Sequence, residues 1–163
     1  MNQFSSNYEE QYSINTNSYT LEYEEERSFL EDYNSIPLTT FSTGLSGLQA
    51  ITKFLHEERG ASFTEISRSL GRSVKTIWAT YNKVKNIKID FQPSAMNIPL
   101  NIFSSRILSI AESLTNYLKE LGFKNIEIAE ITKLDPRTTW TLLKRAETKL
   151  SRLRSSKKLE VVR

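Results

Sequence analysis

The chain has 163 residues, of which 22 are Lys or Arg, 19 are Asp or Glu, one is histidine and none is cysteine. This composition excludes disulfide scaffolds, cysteine-based zinc fingers and thiol catalysis. No apolar run is as long as a signal-peptide core or a membrane span, so we expect a cytoplasmic protein without a membrane partner.

Charge is divided unevenly along the sequence. Residues 1–43 carry eight acidic side chains and one arginine, whereas the remaining residues carry a net charge of +10. A polyanion attracts a basic segment and repels an acidic one, so this asymmetry is typical of nucleic-acid binders with an acidic tail. Residues 1–35 are also poor in aliphatic side chains, which predicts a disordered acidic tail that either solubilises the chain or docks a protein partner.

A repeat with an offset of 62 residues organises the rest of the chain. The segment IPLTTFS, which begins at Ile36, returns as IPLNIFS from Ile98, and Trp78 returns as Trp140. The repeat predicts a first unit at 36–88, a linker at 89–97, a second unit at 98–150 and a basic C-terminal tail at 151–163. Each unit is too small to bury much of its surface alone, so we expect the two units to pack on each other or on a partner.

Helical patterns fill each unit. Apolar residues at spacings of three and four predict a first helix around Leu48 to Leu55 in one copy and Ala111 to Leu121 in the other. A glycine follows each of these helices. Ser62 and Glu65 then form the S-x-x-E pattern of a capping box, which predicts the start of a second helix. In the second copy we expect that helix from Glu127 to Thr132.

The third helix of each unit has its own start signals. Ser73 in the first copy and Asp135 in the second are N-cap residues, and Pro136 suits the first helical position. Gly71 supplies a tight turn before the third helix. A short helix, a tight turn and a capped helix form the helix-turn-helix layout, whose second helix enters the major groove of DNA. The predicted fold is therefore all-α, with two tandem helix-turn-helix units and a disordered acidic N-terminal tail.

The segments from Phe63 to Ile77, from Glu127 to Thr139 and from Lys144 to Leu150 resemble the C-terminal promoter-reading region of bacterial sigma factors. The output domains of response regulators share this layout. The resemblance implies a DNA-binding fold of three or four helices, with Thr76 and Thr138 near phosphates. The chain carries neither the polymerase-binding regions of a sigma factor nor a receiver domain, so a complete protein of either kind is not expected.

Each third helix should bury one stripe and expose the opposite face. The expected stripes are Ile77, Tyr81 and Val84 in the first copy and Thr139, Leu143 and Ala146 in the second. The candidates for contact with base edges are then Lys75, Trp78, Ala79, Asn82, Arg137, Trp140, Thr141 and Lys144. Phosphates need charge but little geometry, and we assign to them Arg72, Lys83, Lys85, Lys133, Arg145 and Lys149. The alternative for each of these residues is an ordinary solvated helix face.

The two tryptophans allow two interpretations. They could stack on a base or a thymine methyl, or they could pack the third helix against the IPLxxF segment of their own unit. We favour packing, because large aromatic side chains contribute most when they are buried. The single histidine, His56, lies beside Leu55 without other metal-ligating residues, and we expect it on the surface.

These patterns predict a sequence-specific double-stranded DNA-binding transcriptional regulator, associated with the nucleoid and without a cofactor. No combination of nucleophile, base, glycine-rich phosphate loop or metal ligands is visible, so we do not expect an enzyme. One alternative is a DNA-recognition adaptor of a packaging or other DNA-processing assembly. Another is the recognition subunit of a recombinase or transposase whose catalytic chain lies elsewhere.

The order of the copies suggests how a DNA site would be arranged. The linker 89–97 can extend to about 30 Å, close to the ~34 Å between successive major-groove faces. Pro93 and Pro99 stiffen this connection. We therefore expect the copies to lie head to tail and to read two half-sites arranged as a direct repeat.

Overall fold

The structure is a computed structural model that describes residues 34–160, with side chains described up to residue 156. The described residues form one compact unit, which contains both copies of the repeat. The acidic tail predicted at 1–35 lies outside the described residues except for its last two positions. Its predicted disorder and its protein partner therefore stay predictions.

The described part of the chain is mostly helical, as the sequence predicts. It consists of β1 (Ser35–Pro37), the 3₁₀ helix η1 (Leu38–Ser42), α1 (Gly47–Glu57), α2 (Phe63–Leu70), α3 (Val74–Val84), β2 (Asn97–Pro99), the 3₁₀ helix η2 (Leu100–Phe103), α4 (Ile110–Glu120), α5 (Asn125–Thr132) and α6 (Pro136–Glu160). The two-stranded sheet is an addition to the all-α prediction. Helix α6 continues through residue 150, where the sequence suggested the end of the second unit.

The helix starts follow the cap residues that the sequence shows. The Ser62 amide donates to the Glu65 carboxylate at 2.8 Å, and the Glu65 amide donates back to the Ser62 hydroxyl. Ser73 accepts from the Thr76 amide at 3.1 Å, and Asp135 accepts from the Arg137 amide at 2.8 Å. These side chains satisfy amides that have no partner inside the helix. The predicted starts of α2, α3 and α6 are confirmed.

Helix α5 begins at Asn125, two residues before the predicted Glu127. The Glu127 carboxylate accepts a hydrogen bond from the Lys124 amide at 2.6 Å, so it acts at the third helical position, as Glu65 does in α2. The sequence prediction missed this start because Lys124 is not a usual N-cap residue.

The two strands show how the copies are related. Strands β1 and β2 are antiparallel, and Ile36 lies directly opposite Ile98, its equivalent in the repeat. The Leu38 amide donates to the Met96 carbonyl at 2.9 Å, and the Leu100 amide donates to the Asn34 carbonyl at 2.7 Å. In the repeat, Leu38 corresponds to Leu100 and Asn34 corresponds to Met96. Each copy therefore donates from one position and accepts at the other, and the two bonds are equivalent. Such reciprocal contacts are the signature of two-fold symmetry.

The same approximate two-fold axis runs through the helical layer. The rings of Phe41 and Phe103, which are equivalent, lie 5.7 Å apart. The starts of α1 and α4 approach so closely that a Cβ on Gly47 would lie 2.7 Å from the Cγ2 of Ile110. Helix α2 packs on η2 of the other copy, and α5 packs on η1 in return. The copies are thus related by rotation.

This arrangement corrects the expected head-to-tail order of the copies. The linker does not extend between separate units, because Met96 packs against the shared core and the Thr39 hydroxyl donates to the Gln92 carbonyl. Since Ile36, Ile98 and Phe103 are fully buried, the contact between the copies is part of the main hydrophobic core. The expectation that the two units pack on each other is confirmed.

Candidate functional site

Helix α3 presents a polar and aromatic face at its beginning. Its N-cap hydroxyl, on Ser73, lies 2.7 Å from the Thr76 hydroxyl, and both residues are exposed. Lys75 is exposed beside them, and Trp78 follows one turn later with 56% of its surface exposed. In the described residues no carboxylate pairs with Lys75. The unpartnered amides of a helix start attract anions, and a neighbouring cation adds to that attraction.

Helix α6 presents the equivalent face in the second copy. Arg137 and Thr138 are exposed at its first turn, and Trp140 has 58% of its surface exposed. Asp135 is used as the cap, because its Oδ1 accepts from the amide of Arg137. Among the described residues the Arg137 guanidinium has no carboxylate partner. The two faces therefore share an exposed cation, threonine and tryptophan at equivalent positions.

The exposure of the tryptophans contradicts the interpretation that we favoured from the sequence. Neither Trp78 nor Trp140 packs its helix against the IPLxxF segment of its own unit. The core position on α3 is taken by Ile77 instead, which is fully buried. Helix α3 turns about 100° per residue, so burying Ile77 directs the adjacent Trp78 to the side of the helix. The hydrophobicity of tryptophan alone gave the wrong prediction.

The buried stripes of the third helices match the predicted ones. Ile77 and Val84 are buried on α3, and Tyr81 is partly buried between them. Thr139 and Ala146 are buried on α6, with Leu143 partly buried. None of the sixteen predicted DNA-contacting residues is buried, and they lie on or beside the third helices of the two copies.

Five of those residues already have side-chain partners within the protein, including Thr76, whose hydroxyl lies 2.7 Å from that of Ser73. The side-chain amide of Asn82 donates to the Trp78 carbonyl at 3.0 Å, and the Thr141 hydroxyl donates to the Arg137 carbonyl at 2.9 Å. Lys144 pairs with Glu147 at 2.8 Å, and Lys149 pairs with Glu112 at 2.7 Å. Among the described residues, the other eleven have no such partner: Arg72, Lys75, Trp78, Ala79, Lys83, Lys85, Lys133, Arg137, Thr138, Trp140 and Arg145.

A partly buried ion pair lies between α1 and α3 in the first copy. Lys53 on α1 has only 2% of its side chain exposed, and its ammonium group donates to the Glu57 carboxylate at 2.6 Å. The Tyr81 hydroxyl donates to the same carboxylate at 3.1 Å. Burial, together with this hydrogen bond, raises the pKa of Tyr81 above its ordinary value. The pair fixes α3 relative to α1.

The surface position expected for His56 is only partly correct. Its ring stacks on Phe63 with centroids 4.4 Å apart and meets the edge of Tyr81 at 4.7 Å. Its Nδ1 lies 2.8 Å from the Ala61 carbonyl. His56 is therefore half-buried and joins three helices of the first copy. Its neighbours in the sequence did not predict this, because the aromatic partners come from α2 and α3.

The second copy leaves the equivalent space open. Helices α1 and α4 align with an offset of 63 residues, since their capping boxes begin at Ser46 and Ser109, whereas the later helices keep the offset of 62. Asn116, Asn125 and Leu143 therefore stand where the first copy has Lys53, Phe63 and Tyr81. An open surface pocket of about 420 Å³ lies there, between α4, α5 and α6, with Trp140 at its edge. In the described structure the Oδ1 of Asn125 is buried without a hydrogen-bond partner. The two copies thus support similar faces with different interiors.

Helix α6 is tied to α4 by a charge pair that the sequence did not suggest. Burial would raise the pKa of Glu112, but hydrogen bonds from Lys149 and from the Ser109 amide outweigh it, so the pKa lies below its ordinary value of 4.5. Glu112 and Lys149 are 37 residues apart, and only tertiary structure brings them together. The pair fixes the part of α6 that has no counterpart in α3.

No helix in the described part of the chain is both long enough and apolar enough to cross a membrane. No group of three or more potential metal ligands is assembled in this part of the chain. Comparison of the chain with protein-family models, with curated proteins and with solved structures finds no match.

Proposed function

We propose that the chain is a sequence-specific double-stranded DNA-binding transcriptional regulator. In this proposal α2 with α3, and α5 with α6, act as two helix-turn-helix units, and the starts of α3 and α6 enter the major groove. The observation that carries the proposal is the pair of equivalent faces, each with an exposed tryptophan beside an exposed cation. The resemblance of the same segments to the promoter-reading region of sigma factors supports it further.

The chemistry of these faces fits duplex DNA. An exposed tryptophan offers a large aromatic surface with a polar N–H, and such side chains are enriched at contact surfaces. The indole can contact a thymine methyl, while Arg137 can donate two parallel hydrogen bonds to guanine. Lys83, Lys85 and Arg145 lie further along the same two helices, where they are free to approach phosphates. RNA fits less well, because a helix cannot enter the deep groove of an A-form duplex.

Binding of labelled duplex DNA, measured by fluorescence anisotropy over a range of salt concentrations, tests the proposal. We expect affinity to fall steeply with salt, because each neutralised phosphate releases counterions. The double variant Lys75→Ala/Arg137→Ala should lose about 1–3 kcal/mol at each half-site on a preferred sequence. The matched control Lys88→Ala/Arg106→Ala removes the same charge from two exposed residues outside the predicted contact set. No binding at low salt, or equal losses in both double variants, would refute the proposal.

A further inference from the structure

The two copies present their faces around one approximate two-fold axis. The axis passes between Ile36 and Ile98, which pair with each other, and between the rings of Phe41 and Phe103. The second helix of each copy packs on the 3₁₀ helix of the other copy. Because α3 and α6 occupy equivalent places in the copies, the same axis relates the two exposed faces.

We propose that a single chain reads an imperfect inverted repeat in duplex DNA. This inference rests on the proposed function. Duplex DNA has two-fold axes perpendicular to its length, which relate one strand to the other, and a two-fold symmetric reader aligns its axis with one of them. A direct repeat would require the copies to be related by translation along the DNA. Contacts between equivalent residues do not arise from translation.

The contact between the copies also fixes the spacing of the half-sites. It is made by fully buried side chains such as Ile98 and Phe103, together with the exchanged backbone bonds of Leu38 and Leu100. Gly71 adds to this rigidity, since a Cβ at that position would lie 2.4 Å from the Ser104 carbonyl of the other copy. Because this contact is close-packed, the two copies cannot shift relative to each other, and one spacing between the half-sites should be preferred.

The differences between the faces predict where the repeat is imperfect. Threonine and tryptophan are shared by the faces, as Thr76 with Thr138 and Trp78 with Trp140. Three other pairs of positions differ between the copies, namely Lys75 and Arg137, Ala79 and Thr141, and Asn82 and Lys144. The half-sites should agree at the bases near the shared residues and differ near the others, because different side chains favour different base edges.

The experiment has two stages. Sites are first selected from random duplex DNA with the full chain, and the preferred half-site is then placed twice on one duplex, in opposite or in the same orientation, over a series of spacings. We expect one opposite-orientation duplex to bind about tenfold or more tighter than every same-orientation duplex. Inserting about half a helical turn at the preferred spacing should reduce binding to that of a single half-site. Mass photometry should find one chain on each duplex.

A symmetrised variant sharpens the result. The substitutions Lys75→Arg, Ala79→Thr and Asn82→Lys give the first face the residues of the second, at positions that are exposed or half-buried. Selection with this variant should yield a perfect inverted repeat. Equal binding to all orientations, a same-orientation preference or two chains per duplex would overturn the inference while leaving DNA binding intact. A chain that binds no duplex at all would instead refute the proposed function.

Discussion

The two copies of the repeat share a frame but differ in how they fill it. The first copy fills the space between α1 and α3 with the Lys53–Glu57 pair, Tyr81 and two stacked rings, whereas the second leaves an open surface pocket beside Trp140. The second copy is instead fixed by the extension of α6 and its pair with Glu112. The comparison teaches that exposed faces can stay equivalent while the interiors that support them diverge. Equivalent substitutions in the two copies should therefore have unequal effects.

The largest difference is expected at the turn before the third helix. Gly71 has a φ of 59° and Lys133 has a φ of 54°, so both adopt the left-handed conformation. Gly71→Ala places a Cβ on a residue with left-handed backbone conformation, and that Cβ collides with the Ser104 carbonyl oxygen. The substitution should lower the free energy of unfolding by about 2–5 kcal/mol. Lys133 already has a Cβ in this conformation, so Lys133→Ala should lower the free energy of unfolding by less than about 0.5 kcal/mol. Urea unfolding measures both, and similar losses would contradict the close approach at Gly71.

A second contrast concerns the carboxylates at the ends of α1 and α4. Glu57→Ala leaves the buried Lys53 ammonium and the Tyr81 hydroxyl without their partner, and should cost about 2–3 kcal/mol. Among the described residues, the equivalent Glu120 accepts only from Asn116, at 2.9 Å on an exposed surface. Glu120→Ala should therefore cost about 0.5 kcal/mol or less. If thermal unfolding ranks the two variants in the opposite order, the Lys53–Glu57 pair does not fix α3 to α1.

The smallest contrast depends on pH. Glu112→Gln should keep the cap of α4, because Gln49 accepts from the Ser46 amide at the equivalent place in α1. It removes the charge that pairs with Lys149, which is partly exposed, and should cost about 1 kcal/mol at neutral pH.

The folded pKa of Glu112 is lowered, so its stabilising effect is complete above its ordinary pKa of 4.5 and is lost as the pH falls through the lowered value. The stability difference between Glu112→Gln and the unmodified chain should therefore disappear at strongly acidic pH. Urea unfolding over a pH series measures it, with Gln49→Ala as a control whose effect carries no charge. A difference that stays constant with pH would exclude the charge pair as its cause.

Local signals in the sequence predicted the helices, apart from the first two residues of α5 and the extension of α6. Ser62, Ser73 and Asp135 cap helices through neighbours within three residues, and Gly71 turns the chain by its own conformation. The spacing of apolar residues likewise predicted which stripe of α3 and α6 is buried. These signals depend on contacts within one or two helical turns, so a single sequence contains them.

The symmetry of the molecule was not accessible in this way. A repeat shows that two segments are alike but not whether they are related by translation or by rotation. The deciding pair, Ile36 with Ile98, lies in strands of three residues that have no alternating pattern to reveal them. The tryptophans were predicted incorrectly for a related reason, because hydrophobicity does not say which side of a packed helix faces the core.

The exposure of the tryptophans offers the most direct test of DNA binding by both copies. Trp78 and Trp140 are the only tryptophans in the chain, so Trp140→Phe and Trp78→Phe each leave a single fluorescent reporter on one face. Each exposed side chain should be replaceable with a stability change within about 0.5 kcal/mol. Emission of the two variants is then measured while a selected duplex is added. We predict saturable changes in both, each ending at one duplex per chain, whereas unchanged emission from either reporter would contradict the binding of that copy to DNA.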